Sequence, residues 1–263
     1  MQEEEIIDYP TFDGALMRSF LTGNRKSRNA IIVIQEIWGL TNFIMNYSRK
    51  LSSLGFLVMA PHLYSRKEEN DLFSEENIAT AMKSFYAIPP DKRGDRETIE
   101  KALEKADPNQ REVIQRLMMG RGILEARMIK DLEMGYKFLK DKFGPTKFGV
   151  VGFCMGGGLS LRISTRLPFD ATVVYYGANP PDLADIAKMK GPMIGFYAGE
   201  DSRINVGLPD LITSFLKFKK QIELSIYPNV NHAFANSDGF SYNKDAAEDA
   251  WEKASCFFRR YLK

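Results

Sequence analysis

The chain has 263 residues, 36 basic against 34 acidic side chains, a formal net charge of +2 and 44% hydrophobic residues. That balance supports a sizeable core and excludes a nucleic-acid or membrane-surface footprint built on charge. No apolar run reaches membrane-spanning length, and the two cysteines, Cys154 and Cys256, make no disulfide framework.

The beginning, MQEEEIIDYP, is acidic and lacks a signal-peptide core, so a cytoplasmic location is expected. No internal repeat is visible, and 1–263 reads as a single domain. Residues 5–9 and 15–21 read as two antiparallel strands joined at the turn dipeptide Asp13-Gly14. Residues 30–34 form a short apolar run without alternation, the pattern of a central parallel strand, and end at Gln35-Glu36-Ile37-Trp38-Gly39. Thr41 or Asn42 caps the next helix, which carries Phe43, Met45, Tyr47 and Leu51 and stops near Gly55. Another strand, 56–59, is closed by Ala60-Pro61, and this β-α-β rhythm predicts a parallel sheet with right-handed crossovers.

From 65 to about 127 the character changes to a charge-rich, mostly helical insertion. Ser74 caps a helix that the Pro89-Pro90 pair ends, and Asp107-Pro108 is a cap followed by a first-turn proline. Gly120 and Gly122 end or interrupt that helix. A long amphipathic helix follows, carrying Ile123, Leu124, Met128, Leu132, Tyr136 and Leu139 to about Gly144. The insertion reads partly as a solvated helical face and partly as a cap over the sheet's carboxyl edge.

The stretch 147–164, KFGVVGFCMGGGLSLRIS, organises the rest. A buried strand at 148–151 runs into Gly152-Phe153-Cys154-Met155-Gly156, and helical spacing resumes at Leu159, Leu161 and Ile163. Strand, glycine-flanked polar residue and helix make the layout of a nucleophile elbow, here G-x-C-x-G. A helix starting at Met155 aims its N-terminus at Cys154 and favours a thiolate or an oxyanion. The competing reading is a structural cysteine in a glycine-rich turn. Strands at 171–176, 192–198 and 222–227 follow, the last two leading to Gly199-Glu200-Asp201 and Asn231-His232-Ala233-Phe234. In the terminal helix, 246–262, Trp251, Phe257 and Phe258 pack, and Cys256 reads as core.

Cys154, Asp201, His232 and Glu36 each follow a strand of one parallel sheet, so all four fall at the edge where such sheets bind ligands. The chain order of nucleophile, acid and histidine is that of the α/β-hydrolases. Cys154 would attack a carbonyl carbon, His232 would move the proton, and Asp201 would orient the histidine. The N–H groups of Met155 and Ile37 would hold an oxyanion. His62 competes with His232, and Glu200 with Asp201; Glu36, beside Trp38, is either an exposed carboxylate or a group with a partner.

On Gln35-Glu36-Ile37-Trp38-Gly39, Gly152-Phe153-Cys154-Met155-Gly156-Gly157, Tyr175-Tyr176-Gly177, Gly199-Glu200-Asp201 and Asn231-His232-Ala233-Phe234, the chain resembles the dienelactone hydrolase (carboxymethylenebutenolidase) family. The resemblance covers nearly everything outside the insertion. It implies an α/β-hydrolase fold, a mainly parallel sheet flanked by helices, and a cysteine nucleophile. It further implies that Glu36 contacts Cys154, keeps the thiol protonated at rest and takes its proton when substrate displaces it. The best-known members place a carboxylate-binding arginine four residues after the catalytic histidine, where this chain has Asn236. Lys83, Arg93, Arg96 and Arg203 are the candidate replacement cations.

The expectation is therefore a hydrolase of a dienelactone, another lactone or a small ester, acting through Cys154, His232, Asp201 and Glu36, with Trp38 and Asn236 on the substrate side. No cofactor or metal is expected, since there is no cysteine cluster and only two histidines. No nucleic-acid or membrane partner is expected, and the oligomeric state is not legible. The alternatives are a general carboxylesterase or thioesterase, a cysteine amidotransferase-like enzyme, and a non-catalytic binding protein on the same scaffold.

Overall fold

The computed structural model describes residues 3–89, 92, 95–104 and 106–263; Pro90 and Arg93 lie outside the described residues. The elements run β1 (Glu4–Pro10), β2 (Leu16–Thr22), β3 (Asn29–Ile34), α1 (Asn42–Ser53), β4 (Leu57–Pro61), α2 (Glu75–Tyr86), α3 (Arg96–Leu103) and α4 (Pro108–Ile114). They continue with α5 (Arg121–Phe143), β5 (Lys147–Phe153), α6 (Met155–Ser164), β6 (Ala171–Tyr175), β7 (Met193–Ala198), α7 (Ser202–Asn205), α8 (Leu208–Lys217), β8 (Ile222–Tyr227) and α9 (Lys244–Leu262).

The strands form one sheet in the order β1-β2-β4-β3-β5-β6-β7-β8. β1 and β2 pair antiparallel, β2 meets β4 antiparallel, and the strands from β4 to β8 run parallel. The unbroken apolar runs follow from burial on both faces. Ile32 and Ile34 of β3 enter the cluster built with α5 and α6, including Met128, Leu132 and Leu159. Ile31 and Val33 enter the opposite cluster, with Phe43 and Ile44 of α1 and Phe257 and Phe258 of α9.

The insertion is helical as expected, with no strand among its described residues. The Ser74 side chain accepts from the N–H of Asn77, and Asp107 accepts from that of Gln110, so both predicted caps form. A single π-turn, Gln115–Met119, joins α4 to α5. The insertion is less a solvated face than a continuation of the core: Ile78, Met82, Phe85, Ile99, Leu103 and Val113 belong to the same apolar cluster as α5. A buried ion network fastens it. Asp131 on α5 accepts from Arg66 Nη2 at 2.6 Å, from Arg66 Nε at 3.1 Å and from Arg127 Nη1 at 2.8 Å.

Two expectations fail for the same geometric reason. Cys256 is exposed, not core. The buried stripe of α9 runs through Ala246, Ala250, Ala254, Phe257, Phe258 and Leu262, and Cys256 falls on the other side of the helix. Ile123 is likewise 83% exposed, because α5 buries Leu124, Met128 and Leu132 instead.

Candidate active site

β5 delivers Cys154 to the centre of the sheet's carboxyl edge, and α6 begins at the next residue. Cys154 has φ +54°, a strained conformation for a residue with a side chain. Two glycines make room for the turn. A Cβ on Gly152 would collide with the Gly156 carbonyl, and one on Gly156 with the carbonyls of Ile34 and Gln35. The result is a half-buried thiol lifted clear of its own strand, at the N-terminus of a ten-residue helix.

Asp201 stands just past β7 and is buried; Glu200 beside it is exposed. His232 lies in the segment after β8, and its Nδ1 is hydrogen-bonded to Asp201 Oδ2. The ring packs 4.9 Å from that of Tyr176. Its Nε2 is buried with no hydrogen-bond partner among the described residues. Burial alone would lower the His232 pKa, but the charge of Cys154 and the Asp201 hydrogen bond outweigh it and raise it to about 10. His62, the competing histidine, sits beside Gly39 and Tyr64, and burial together with the Arg18 charge pushes it down to about 4.

Glu36 is 1% exposed, at the tip of the turn closed by the Glu36–Gly39 bridge. Its Oε2 accepts from Asn236 Nδ2 at 2.6 Å and its Oε1 from the Tyr176 hydroxyl at 3.3 Å; it has no hydrogen bond to Cys154. Burial raises its pKa to about 7, against the lowering effects of the Asn236 bond, the His232 charge and the Tyr176 bond. The Asn236 amide is itself fixed, because its Oδ1 accepts from the N–H of Asp238 at 2.9 Å. The side chain expected to face substrate is thus bound to Glu36, although it still lines the cavity.

The N–H groups of Ile37 and Met155 donate to no other backbone group among the described residues. Tyr64 pins the Ile37 peptide by donating to its carbonyl at 3.1 Å. Cys154, His232, Glu36, Ile37, Trp38 and Asn236 all open onto one cavity of about 1080 Å³. Of the candidate cations, Lys83 lines this cavity, Arg96 pairs with Glu100, Arg203 is exposed on α7, and Arg93 lies outside the described residues. Among the described residues no three His, Cys, Asp or Glu side chains are arranged to hold a metal ion.

Two residues at the site carry little signal in the sequence. Tyr176, with φ +40°, joins Glu36 to His232; the Tyr175-Tyr176-Gly177 motif was its only signal. Arg121, at the start of α5 and paired with Glu125, lies close enough for Cys154 to act on its charge. A basic residue in a charge-rich insertion carries no signal of that kind.

A model of the dienelactone hydrolase family matches residues 17–262. A protein of Saccharolobus solfataricus named "Putative carboxymethylenebutenolidase" is 45% identical over 251 residues, covering 95% of this chain and 96% of its own. Among solved structures, a dienelactone hydrolase from Anabaena variabilis superposes with a TM-score of 0.65 at 15% identity, over 100% of this chain and 99% of the other. At that identity the likeness is one of fold.

Proposed function

The chain belongs to the dienelactone hydrolase family, and from that premise we propose that Cys154, His232 and Asp201 hydrolyse a lactone or small ester through a thioester acyl-enzyme. It has the α/β-hydrolase fold and is a hydrolase acting on ester bonds. The observation that carries the finer reading is the His232–Asp201 bond facing the strained elbow at Cys154.

In this reading the Cys154 sulfur, its proton already passed to His232 Nε2, attacks the ester carbonyl and a C–S bond forms. The oxygen gains negative charge and is met by the N–H groups of Ile37 and Met155. The C–O bond to the leaving alcohol breaks as His232 Nε2–H gives it a proton. Water then attacks the thioester and passes a proton back to His232, the C–S bond breaks, and the thiolate and a carboxylic acid are released. Asp201 holds the imidazolium through Nδ1. The whole chain acts as one catalytic unit, and with two free cysteines it suits a reducing cytoplasm. The test is intact-mass analysis during turnover of a lactone and of short esters. An acyl adduct on the peptide bearing Cys154 supports the reading; steady turnover that never acylates it refutes it.

Charge favours neutral substrates. The described residues lining the cavity include three carboxyl groups, Glu36, Glu75 and Asp238, against Lys83 and the protonated His232. An arginine at 236 would sit against the Glu36 carboxylate, so Asn236→Arg would spend part of its charge there. It is expected to improve kcat/KM for an anionic dienelactone by no more than about tenfold, the lower end of what a charged hydrogen bond contributes. A neutral ester should change little. A much larger gain would mean that Glu36 does not hold residue 236.

Glu36 is proposed to bias the thiol by its charge from behind Asn236 and Tyr176. Since its folded pKa lies above the ordinary carboxyl value, the native state holds the proton longer than the unfolded chain. Stability therefore falls as pH rises from about 4.5 to about 7, by an amount on the order of 3 kcal/mol. Glu36→Gln should flatten that slope in denaturant titrations. It should also speed iodoacetamide alkylation of Cys154 near pH 8, where Glu36 is charged, more than near pH 6. An equal effect at both values would mean that the charge of Glu36 does not reach the thiol.

A further inference from the structure

The cavity extends well beyond the reacting groups. At about 1080 Å³ it lies at the upper end of pockets for drug-sized ligands. Three segments wall it: the turn 36–38 with the start of α1, one stripe of α2, and the segment 232–241. The α2 stripe is helical in spacing, Glu75, Ala79, Met82 or Lys83, and Tyr86, so it forms one continuous surface. Trp38, Leu40 and Met45 face into the same space, as do Ala79, Met82, Tyr86 and Phe240. Phe240 and Tyr86 are among the large apolar side chains left exposed, and Ala79 is exposed as well. The polar groups fall into two sets: the reacting centre around Cys154, His232 and Glu36, and the distal Glu75 and Lys83 on α2.

We propose that this apolar arm, between Leu40 just before α1, Met45 of α1 and Ala79 and Met82 of α2, binds the acyl chain of a neutral, medium-length ester. The proposal rests on the thioester reading of Cys154. The acyl group stays attached to Cys154 through both half-reactions, so a surface that holds it acts on acylation and on deacylation. Each methylene moved from water onto that surface is worth about fourfold in binding. Met45, half-buried, suits such a chain, being a flexible side chain that adapts to irregular apolar partners, while Met82, buried in the core cluster, closes the floor of the arm.

The experiment is a p-nitrophenyl ester series of acetate, butyrate, hexanoate and octanoate below their aggregation limits. The expected kcat/KM rises along the series and reaches at least about tenfold over acetate at octanoate, well under the full burial value of fourfold per methylene. A flat or falling profile overturns the proposal. Ala79→Trp, a substitution at an exposed position, should then lower the octanoate-to-acetate ratio by at least about tenfold by filling the arm. If the wild-type profile rises and this ratio stays put, the chain lies elsewhere and the assignment is wrong. Cys154→Ala separates the two levels of inference. Octanoate turnover that survives it at close to the wild-type rate refutes the nucleophile. Loss of all turnover in Cys154→Ala, combined with a wild type that prefers acetate, refutes the acyl arm alone.

Discussion

Cys154→Ala is expected to lower kcat for ester hydrolysis by about 10⁴-fold or more, while Cys256→Ala retains most of the activity. The difference comes from position. Cys154 is held at φ +54° between a buried strand and a helix N-terminus, within the cavity that also receives His232. Cys256 is exposed on α9, lining a different surface hollow with Lys253 and Arg260. Alanine keeps the backbone demand of the elbow and removes only the sulfur, so the variant should fold, which its denaturant midpoint will show. Residual catalysis would come from the Ile37 and Met155 N–H groups acting on a water attack. Equal losses in two folded variants would dismantle the assignment.

His232→Ala should cost at least about 10²-fold, and His62→Ala should cost little. The two imidazoles lie in opposite settings. His232 is bonded to Asp201, and its pKa is raised to about 10; His62 is pushed down to about 4 by burial and Arg18. At neutral pH His232 therefore carries the proton that the leaving alcohol needs, while His62 is neutral and has no such acid to offer. The sign of the pH dependence follows. Activity should persist through neutral pH and fall as pH rises through about 10. Asp201→Asn removes one of the groups that raise the His232 pKa, so it should move that alkaline limb to lower pH and lower kcat by up to about 10⁴-fold. An inactive His62→Ala beside an active His232→Ala would require another base.

The sheet was legible because its strands announce themselves twice. β3 and β5 are unbroken apolar runs, and each ends in a polar or glycine-bearing turn whose chemistry needs that end. The caps at Ser74 and Asp107 were legible for a local reason, a side-chain oxygen within reach of the first-turn N–H groups. What could not be read was which way a residue faces when its helix has a wide or irregular stripe, as with Cys256 and Ile123. α3 gives no separate signal in the sequence, since its Arg96, Glu97, Glu100 and Lys101 pair along its own surface and leave only Ile99 and Leu103 buried. The site's four strand-end residues came from topology. The partners of Glu36 did not, because the Asn236 and Tyr176 bonds join segments separated by 200 and 140 residues in sequence.

The place of β3 in the sheet has a consequence for biosynthesis. Its two neighbours are β4, which follows it closely, and β5, which begins only at Lys147 after the whole insertion and α5. While residues 62–146 are being made, the emerged β-α-β unit has the backbone of β3 unpaired along one side and its apolar side chains without α5 or α6 to cover them. Such an edge recruits other strands, and long-range pairing of this kind is slow. The nascent chain is therefore prone to self-association in that interval, which ends for β3 when β5 docks. β5 then presents the open edge until β6 pairs with it, and because the Cys154 N–H donates to the Tyr175 carbonyl of β6, the strained turn is completed only when that next strand arrives.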